Sequence, residues 1–431
     1  MPMAGSIALE RAVDRALGEV PAGATLHVAL SGGRDSVVLL HLALCARQRL
    51  APERRPSLAA LHIDHALQPA AIEFVHFCRT LCHQWAIPLR VIPVTVDAFD
   101  GLEAGARRAR YAAFTEQLAC GDVLWMAHHR GDQAETLLLR LMRGAGVAGL
   151  AGMPYQRSLG RGLLMRPLLA AGSTEIADYA RQHDLPWRED PTNQDERFDR
   201  NHVRHRVMPA LNERWTAEAQ LVDSANHLRE AGELLGELAA IDLERLGHDP
   251  GRLPLVPLLE LSRARQRLLI RSCLGRLGLP LPPRARLETL LDQCAEARRD
   301  GRVHVGWPGA EARVWRGALY LQTPTDTMSG EWQCCWQGEV GLDTPVGALY
   351  WRLVREDGKP VSVRLKPRRG GERLQYGGRH RRVKQLLQEA AVPPWRRDRL
   401  VIAWQGDEAV ALIGADLALA ADGWRLLRAG T

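Results

Sequence analysis

Short apolar segments alternate with amphipathic helical segments over the first 200 residues of this chain of 431 residues. Proline suits the first turn of a helix, so we also expect a helix directly after Pro69. This alternation predicts a Rossmann-like α/β domain, in which parallel strands are joined by crossover helices and ligands bind at the carboxyl ends of the strands. The predicted strands are residues 25–30, 57–64, 89–96 and 122–127, and the predicted helices are 36–49, 103–119, 133–143 and 173–183.

The chain is long enough for about three domains at roughly 150 residues each. We expect the α/β domain to cover residues 1–214, a mostly helical domain to cover 215–325, and a small, basic α+β domain to cover 326–431. No apolar run reaches the roughly 18 residues of a membrane span. The first residues lack a secretory pattern. We therefore expect a cytoplasmic protein with no membrane partner.

Positive charge is concentrated in one segment. Residues 351–400 have a net charge of +10, whereas the other 381 residues sum to −3. Such a local excess is typical of a surface that binds a polyanion such as RNA, although charge runs are also often simply solvated. The residues predicted to bind nucleic acid are Arg364, Lys366, Arg368, Arg369, Arg373, Arg381 and Lys384, with Tyr376 and Trp395 nearby.

The hexapeptide SGGRDS follows the first predicted strand and opens a helix. Its glycines allow a tight turn, and the N–H groups at the start of the helix favour an anion. No lysine occurs before Lys359, so a Walker A loop is excluded. A carboxylate in such a loop suggests a Mg²⁺ ion beside a polyphosphate. The predicted polyphosphate site comprises Ser31, Gly32, Gly33, Arg34, Asp35 and Ser36.

The hexapeptide resembles the PP-loop of the N-type ATP pyrophosphatases, which cleave ATP between its α and β phosphates. The chain contains further motifs, which are HIDHALQP (62–69), GLEAGARRARYAAF (101–114), AHHRGDQAETLLLRLMRGAGVAGLAGMP (127–154), RPLL (166–169), EDPTNQDERFDRNHVRH (189–205) and the basic run 363–400. Taken together with the hexapeptide, these motifs resemble the bacterial tRNA(Ile)-lysidine synthase family over nearly the whole chain.

The resemblance implies a ligase that uses ATP with Mg²⁺ and no tightly bound cofactor. It implies that cytidine is adenylated at the wobble position of an isoleucine tRNA with a CAU anticodon. The ε-amine of L-lysine then attacks C2, AMP leaves, and the tRNA reads AUA instead of AUG. The partners are therefore tRNA, L-lysine and ATP. The sequence is equally compatible with a monomer and a homodimer.

The resemblance also assigns roles to individual residues. Asp35 is the expected ligand of Mg²⁺, and Asp64 adds to the ATP site. The lysine amine is expected to be oriented and deprotonated by Asp132, which could alternatively cap the following helix. The expected catalytic residues are Asp35, Arg110, Asp132 and Arg204, and the expected contacts to lysine or cytidine are Arg107, His128, His129 and Asp132.

One position departs from the family, which usually has H-H-x-D-D-Q where this chain has Gly131 before Asp132. Two other functions remain open. A PP-loop tRNA thiolase typically needs a C-x-x-C pair, which the eight cysteines do not form. A non-catalytic, ATP-responsive RNA-binding protein would bind tRNA without releasing pyrophosphate.

Overall fold

The structure is a computed structural model that describes residues 4–65, 70–97, 102–297, 303–324, 331–345, 347–414 and 417–428. The described part of the chain divides into two compact units, Met1–Leu235 and Gly236–Thr431. The expected domain boundary at 325 and 326, residues 66–69 of the HIDHALQP motif, and Gly101 lie outside the described residues.

The first unit is built on a mostly parallel sheet with the strand order β3-β2-β1-β4-β6-β5. Strands β1, β2, β3, β4 and β6 are parallel, and β5 is antiparallel to β6 at the edge. The predicted parallel sheet is therefore confirmed. Its strands are β1 (Thr25–Ala29), β2 (Ser57–Asp64), β3 (Leu89–Pro93), β4 (Val123–Trp125), β5 (Gln156–Leu159) and β6 (Gly162–Met165).

Helices cover both faces of this sheet. The first three helices and α7 pack on one face, and α4 packs on the other through Phe114 and Leu118. Short 3-10 turns occur at Pro52–Arg54 and Pro191–Gln194, and a π-helical turn occurs at Val203–Val207. The helices are α1 (Ala4–Gly18), α2 (Arg34–Arg49), α3 (Ala70–Gln84), α4 (Leu102–Gln117), α5 (Arg130–Met142), α6 (Val147–Leu150), α7 (Ser173–Gln182), α8 (Asp199–His202) and α9 (Met208–Asn212).

Two features of the first unit were not predicted from the sequence. Helix α1 buries Leu9 and Val13 against the sheet layer. The β5–β6 hairpin extends the parallel sheet with an antiparallel edge strand. The residues of β5 (QRSL) are mostly polar, so the apolar pattern that predicts a buried strand is absent there. An edge strand needs only one apolar face, so such a strand carries a weak signal.

Helix α10 (Ala217–Arg245) starts in the first unit and ends in the second. The expected helical domain contains α11 (Leu255–Glu260), α12 (Arg263–Arg276) and α13 (Arg284–Glu296). It also contains an antiparallel sheet with the order β7-β10-β9-β8, which shares a core with these helices. The strands are β7 (Arg252–Pro254), β8 (His304–Trp307), β9 (Ala310–Trp315) and β10 (Ala318–Gln322).

The C-terminal part is an α+β arrangement around a sheet with the order β11-β15-β18-β19-β16-β17, with β20 paired to β19. Strand β12 pairs with β13, and β14 pairs with β21. The elements are β11 (Cys334–Trp336), β12 (Leu342–Thr344), β13 (Gly347–Leu349), β14 (Trp351–Arg355), β15 (Val363–Pro367), β16 (Arg373–Gln375), β17 (His380–Arg382), α14 (Val383–Glu389), α15 (Pro394–Arg397), β18 (Val401–Gln405), β19 (Glu408–Ile413), β20 (Ala418–Ala420) and β21 (Trp424–Arg428).

Within the described residues, no helix has the length and apolar character needed to cross a membrane.

Asp122 ties the first strand to the fourth. One of its carboxylate oxygens accepts a hydrogen bond from the Thr25 N–H at 3.0 Å, and the other accepts from the Ala119 N–H at 3.0 Å. The second oxygen also lies 3.3 Å from His27 Nε2. Burial alone would raise the pKa of Asp122, but these hydrogen bonds lower it below its ordinary value.

We expect Asp122→Ala to reduce the free energy of unfolding by about 2 kcal/mol at pH 7, because two backbone N–H groups lose a charged acceptor. A carboxylate with a lowered pKa in the folded state stabilises at neutral pH, so this difference should fade below about pH 4. Urea unfolding at several pH values measures it. Asp14→Ala, which removes an exposed partner of Arg49, is the control and should cost less than about 1 kcal/mol. Equal losses in the two variants would contradict this role.

Candidate active site

The SGGRDS loop joins β1 to α2 with the backbone geometry that an anion site requires. Gly32 has a φ of +90°, and a Cβ there would lie 3.0 Å from the Phe74 ring. Ser36 Oγ donates to the Gly33 carbonyl oxygen at 2.8 Å, and Ser31 Oγ accepts from the Gly33 N–H at 3.3 Å. The two serines therefore fix the turn, and the start of α2 faces the space beyond β1.

A cleft of about 940 Å³ lies at the carboxyl ends of β1, β2 and β4. Most of the residues predicted for the site line it, and they come from the loop, from β2, from α4 and from the segment that follows α7. Gly32, Arg107, His129 and Asp132 do not line it. The predicted residues in its wall are Ser31, Gly33, Arg34, Asp35, Ser36, Asp64, Arg110, His128 and Arg204.

Asp35 faces this cleft with a side chain that is 32% exposed. It accepts a hydrogen bond from Arg34 Nε at 2.9 Å, and its other oxygen lies 3.6 Å from His129 Nε2. Among the described residues, no group of three or more His, Cys, Asp or Glu side chains could hold a metal alone. Mg²⁺ commonly needs only one or two carboxylates beside substrate phosphates, so Asp35 and Asp64 fit such an ion.

His129, rather than Asp132, caps helix α5. His129 Nδ1 accepts from the Gly131 N–H at 3.0 Å, and Asp132 returns by accepting from the His129 N–H at 3.0 Å. The sequence suggested Asp132 as the cap, and the structure places it instead as the reciprocal partner in the first turn. Because His129 folds back over Gly131, its Nε2 atom points toward Asp35 and Asp132, at 3.6 and 3.7 Å.

Two buried carboxylates of α5 bind two arginines from the segment after Glu189. Asp132 is 8% exposed and Glu135 is 4% exposed. Asp132 Oδ1 accepts from Arg200 at 2.7 Å and from Arg204 at 3.1 Å. Glu135 accepts from Arg204 Nε at 2.6 Å and from Arg200 Nε at 2.9 Å. Arg204 thus reaches both the cleft and the buried carboxylates.

These contacts set the charge states at the base of the cleft. Burial would raise the pKa of Asp132, but His129 and Arg200 hold it well below its usual range. Burial lowers the pKa of His128 to about 3, so its imidazole is neutral at physiological pH. The neutral His128 Nδ1 accepts from the buried Arg166 at 3.2 Å.

The polar segment after α7 forms the second wall of the cleft, through residues 187–194. The Arg188 N–H donates to the Gly32 carbonyl oxygen at 3.0 Å, which joins this wall to the SGGRDS loop. Asn201 stabilises this wall, because its Nδ2 donates to the Thr192 carbonyl oxygen at 2.8 Å. Sequence reasoning placed Arg200 in this polar segment and Glu135 near the start of α5, but it did not predict that they pair, because an ion pair between residues 65 positions apart leaves no local pattern.

The predicted RNA-binding residues lie on β15, β16, β17, α14 and the turn after β15. Arg364, Arg373 and Lys384 are exposed, whereas Arg368 is largely covered beside Glu372 and Arg381 is paired with Glu389. Arg369 is also exposed and Lys366 is half-buried. Trp395 is 9% exposed and donates to Gln322 Oε1 at 3.0 Å, so it packs inside the second unit rather than facing RNA.

Comparison with known proteins is consistent with this geometry. Residues 7–211 match the PP-loop domain, 253–320 the TilS substrate binding domain, and 363–424 the TilS substrate C-terminal domain. A tRNA(Ile)-lysidine synthase of Pseudomonas aeruginosa is 42% identical over 428 residues, which cover 93% of this chain and 92% of that protein. One from Alkalilimnicola ehrlichii is 42% identical over 423 residues, with the same coverages. The chain belongs to the tRNA(Ile)-lysidine synthase family.

Among solved structures, a U34-tRNA thiolase from Methanococcus maripaludis resembles 52% of this chain and 78% of its own chain, at 15% identity and a TM-score of 0.42. The family predicted from the motifs is thus confirmed by relatives that match the chain along most of its length.

Gly131 allows the His129 cap, and this can be tested. A Cβ at residue 131 would lie 2.9 Å from His129 Cε1 and 3.2 Å from Nδ1. Alanine favours a helix over glycine by about 1 kcal/mol. We expect Gly131→Ala to bring no such gain in the wild-type background, because the ring must move, and to bring it in a His129→Ala background. Thermal unfolding of the four variants measures the coupling, and equal gains in both backgrounds would exclude it.

Proposed function

We propose that this protein attaches L-lysine, through its ε-amine, to C2 of the wobble cytidine of an isoleucine tRNA with a CAU anticodon. ATP is converted to AMP and pyrophosphate in the process. The observation that supports this most directly is one cleft walled by the anion-binding loop, Arg110, His128 and Arg204. A nucleotide, a base and an amine can therefore meet at the carboxyl end of a single sheet.

The first step makes the cytidine electrophilic. The O2 atom of cytosine attacks the α-phosphorus of ATP, an O–P bond forms, and pyrophosphate leaves with the electron pair of the broken P–O bond. The N–H groups of the SGGRDS loop and the start of α2 are placed to stabilise the leaving charge. Asp35 and Asp64 would hold Mg²⁺, which supplies neutralisation of phosphate charge when bound.

The second step replaces oxygen by nitrogen. The ε-ammonium must first lose a proton to solvent water in the open cleft, since its ordinary pKa is about 10.4. The amine lone pair then forms the C2–N bond, and the C2–O bond breaks with AMP as the leaving group. Arg204 in the cleft wall is paired with the buried carboxylates Asp132 and Glu135, and we propose that the ammonium group binds beside this network.

The strongly lowered pKa of Asp132 favours a role in orienting the ammonium group. A weakly basic carboxylate is a poor proton acceptor at neutral pH, yet it remains charged and binds a cation well. We propose that His129 and Arg200 tune Asp132 in this way. His129, which points toward both Asp35 and Asp132, links the ATP side of the site to the amine side.

Labelled lysine tests the function directly. Two unmodified transcripts are compared with ATP and Mg²⁺: isoleucine tRNA with a CAU anticodon, and the same tRNA with uridine at the wobble position. We expect label only in the first. Pyrophosphate release without label would favour another nucleophile, such as the sulfur of a thiolase. Neither product, with tRNA still bound, would favour a non-catalytic RNA-binding protein.

In the same assay we expect Asp132→Asn to lose lysine incorporation by at least about 100-fold, because a neutral amide cannot hold the ammonium and both arginines. Binding of tRNA to the full chain should persist, and thermal unfolding checks that the variant is folded. Asp14→Asn, an exposed carboxylate on α1, is the matched control. Retained turnover by a folded Asp132→Asn protein would contradict the proposed role of Asp132 in orienting the ammonium group.

The exposed cations of the C-terminal part are proposed to bind tRNA phosphates. Replacing Arg364, Arg373 and Lys384 together by alanine should flatten the slope of log affinity against log salt by about 2 to 3. The control replaces Arg11, Arg54 and Arg79, three exposed arginines of the first unit. Filter binding at several salt concentrations measures the slopes, and identical slopes in the two triple variants would refute this surface.

A further inference from the structure

A group of arginines surrounds Tyr111 beside the cleft. The guanidinium carbon of Arg107 lies 4.9 Å from the centroid of the Tyr111 ring, and that of Arg157 lies 4.8 Å from it. Arg107 comes from α4, and Arg157 comes from the β5 edge strand. Two cations thus share one aromatic side chain, an arrangement that holds both guanidinium planes in place.

A third arginine lies buried nearby. Arg166 is 2% exposed, and it donates to the Pro154 carbonyl oxygen at 2.7 Å and to neutral His128 at 3.2 Å. Both of these acceptors are uncharged, and an arginine keeps its proton when buried. Its charge is therefore not compensated locally, and the low dielectric around it strengthens the field at the surface above.

No carboxylate within the described residues forms an ion pair with Arg107, Arg110, Arg157 or Arg166. By contrast, Arg200 and Arg204 on the neighbouring wall form ion pairs with Asp132 and Glu135. The positive charge of these arginines also changes the pKa of Tyr111. Burial would raise the pKa of its hydroxyl, but Arg107 and Arg166 lower it below the usual value. The Tyr111 group therefore has a clear excess of positive charge.

The position of the Tyr111 group suggests which anion it binds. Arg110 lines the cleft, and Tyr111 Oη lies 3.8 Å from the sulfur of Met126, which also lines it. Arg107 and Arg157 are outside the cleft wall. The SGGRDS loop already offers a site to the phosphates of ATP. A nucleotide whose base enters the cleft from an RNA strand carries its flanking phosphates just outside, where these arginines are.

We infer that Arg107 and Arg157, held on Tyr111 above buried Arg166, form a binding site for an RNA backbone phosphate next to the nucleotide that is modified. The inference rests on the proposed function for the identity of that nucleotide. The phosphate binding itself is independent of lysine transfer. Arginine suits this task because its planar fork donates two parallel hydrogen bonds to one phosphate.

The test is the affinity of the full chain for unmodified tRNA, measured by filter binding, together with the KM for each substrate. Arg157→Ala should weaken tRNA binding about tenfold, the loss expected for a charged hydrogen bond, and flatten the salt slope by about 1. The KM values for ATP and lysine should stay unchanged. Arg11→Ala, which removes one exposed charge on α1, should leave tRNA affinity as it is.

A second pair of variants separates ring stacking from fold stability. Tyr111→Phe keeps the ring and should keep tRNA affinity, whereas Tyr111→Leu should lose it in a protein that thermal unfolding shows to be folded. A rise in the KM for ATP with unchanged tRNA binding would assign the site to ATP phosphate and overturn the inference. Unchanged values in Arg157→Ala would also overturn it. Tight tRNA binding without lysine incorporation in the wild type would instead refute the proposed function alone.

Discussion

The buried ion pairs between Asp132, Glu135 and the arginines at 200 and 204 hold the two sides of the cleft together. Each carboxylate lies almost wholly out of water, so removing one partner would leave an uncompensated charge at a cost of about 3 to 5 kcal/mol. The pairing keeps the segment after α7 against α5, and Asn201 of the same segment supports the loop at Thr192. The position of the second wall therefore depends on charges that the cleft also needs for its substrate.

The surroundings of these ion pairs also determine the charge states of neighbouring side chains. Asp132 remains ionised because guanidinium groups and His129 surround it, and His128 remains neutral because it is buried. Of these neighbouring groups, the surroundings thus keep one ionised and the other neutral. The arrangement places a charge-balanced group of carboxylates and arginines around α5 apart from a basic surface around Tyr111, and only the second has an excess of charge that attracts an anion.

Sequence reasoning found the parallel sheet and the anion-binding loop because both leave local patterns. A buried strand is a short apolar run, and Gly32 marks a positive φ that other residues avoid. It missed the hairpin that supplies Arg157, since an edge strand with polar letters has no comparable pattern. It also offered Asp132 as an alternative cap for α5, because histidine is an uncommon cap. Only the fold brings Arg200 to Glu135. Pairings across many residues are set by tertiary packing, which a single sequence does not encode locally.

The scarcity of lysine has a chemical consequence at this cleft. No lysine occurs before Lys359, so the whole unit Met1–Leu235 contains no side-chain primary amine. Every cation that binds Asp132 or Glu135 there is a guanidinium or an imidazole, and a guanidinium does not lose its proton to become a nucleophile. An adenylated cytidine held in this unit would therefore meet no competing amine from a side chain of that unit. Discrimination between the substrate's ε-amine and the protein's own cations then follows from the type of charge and needs no steric barrier.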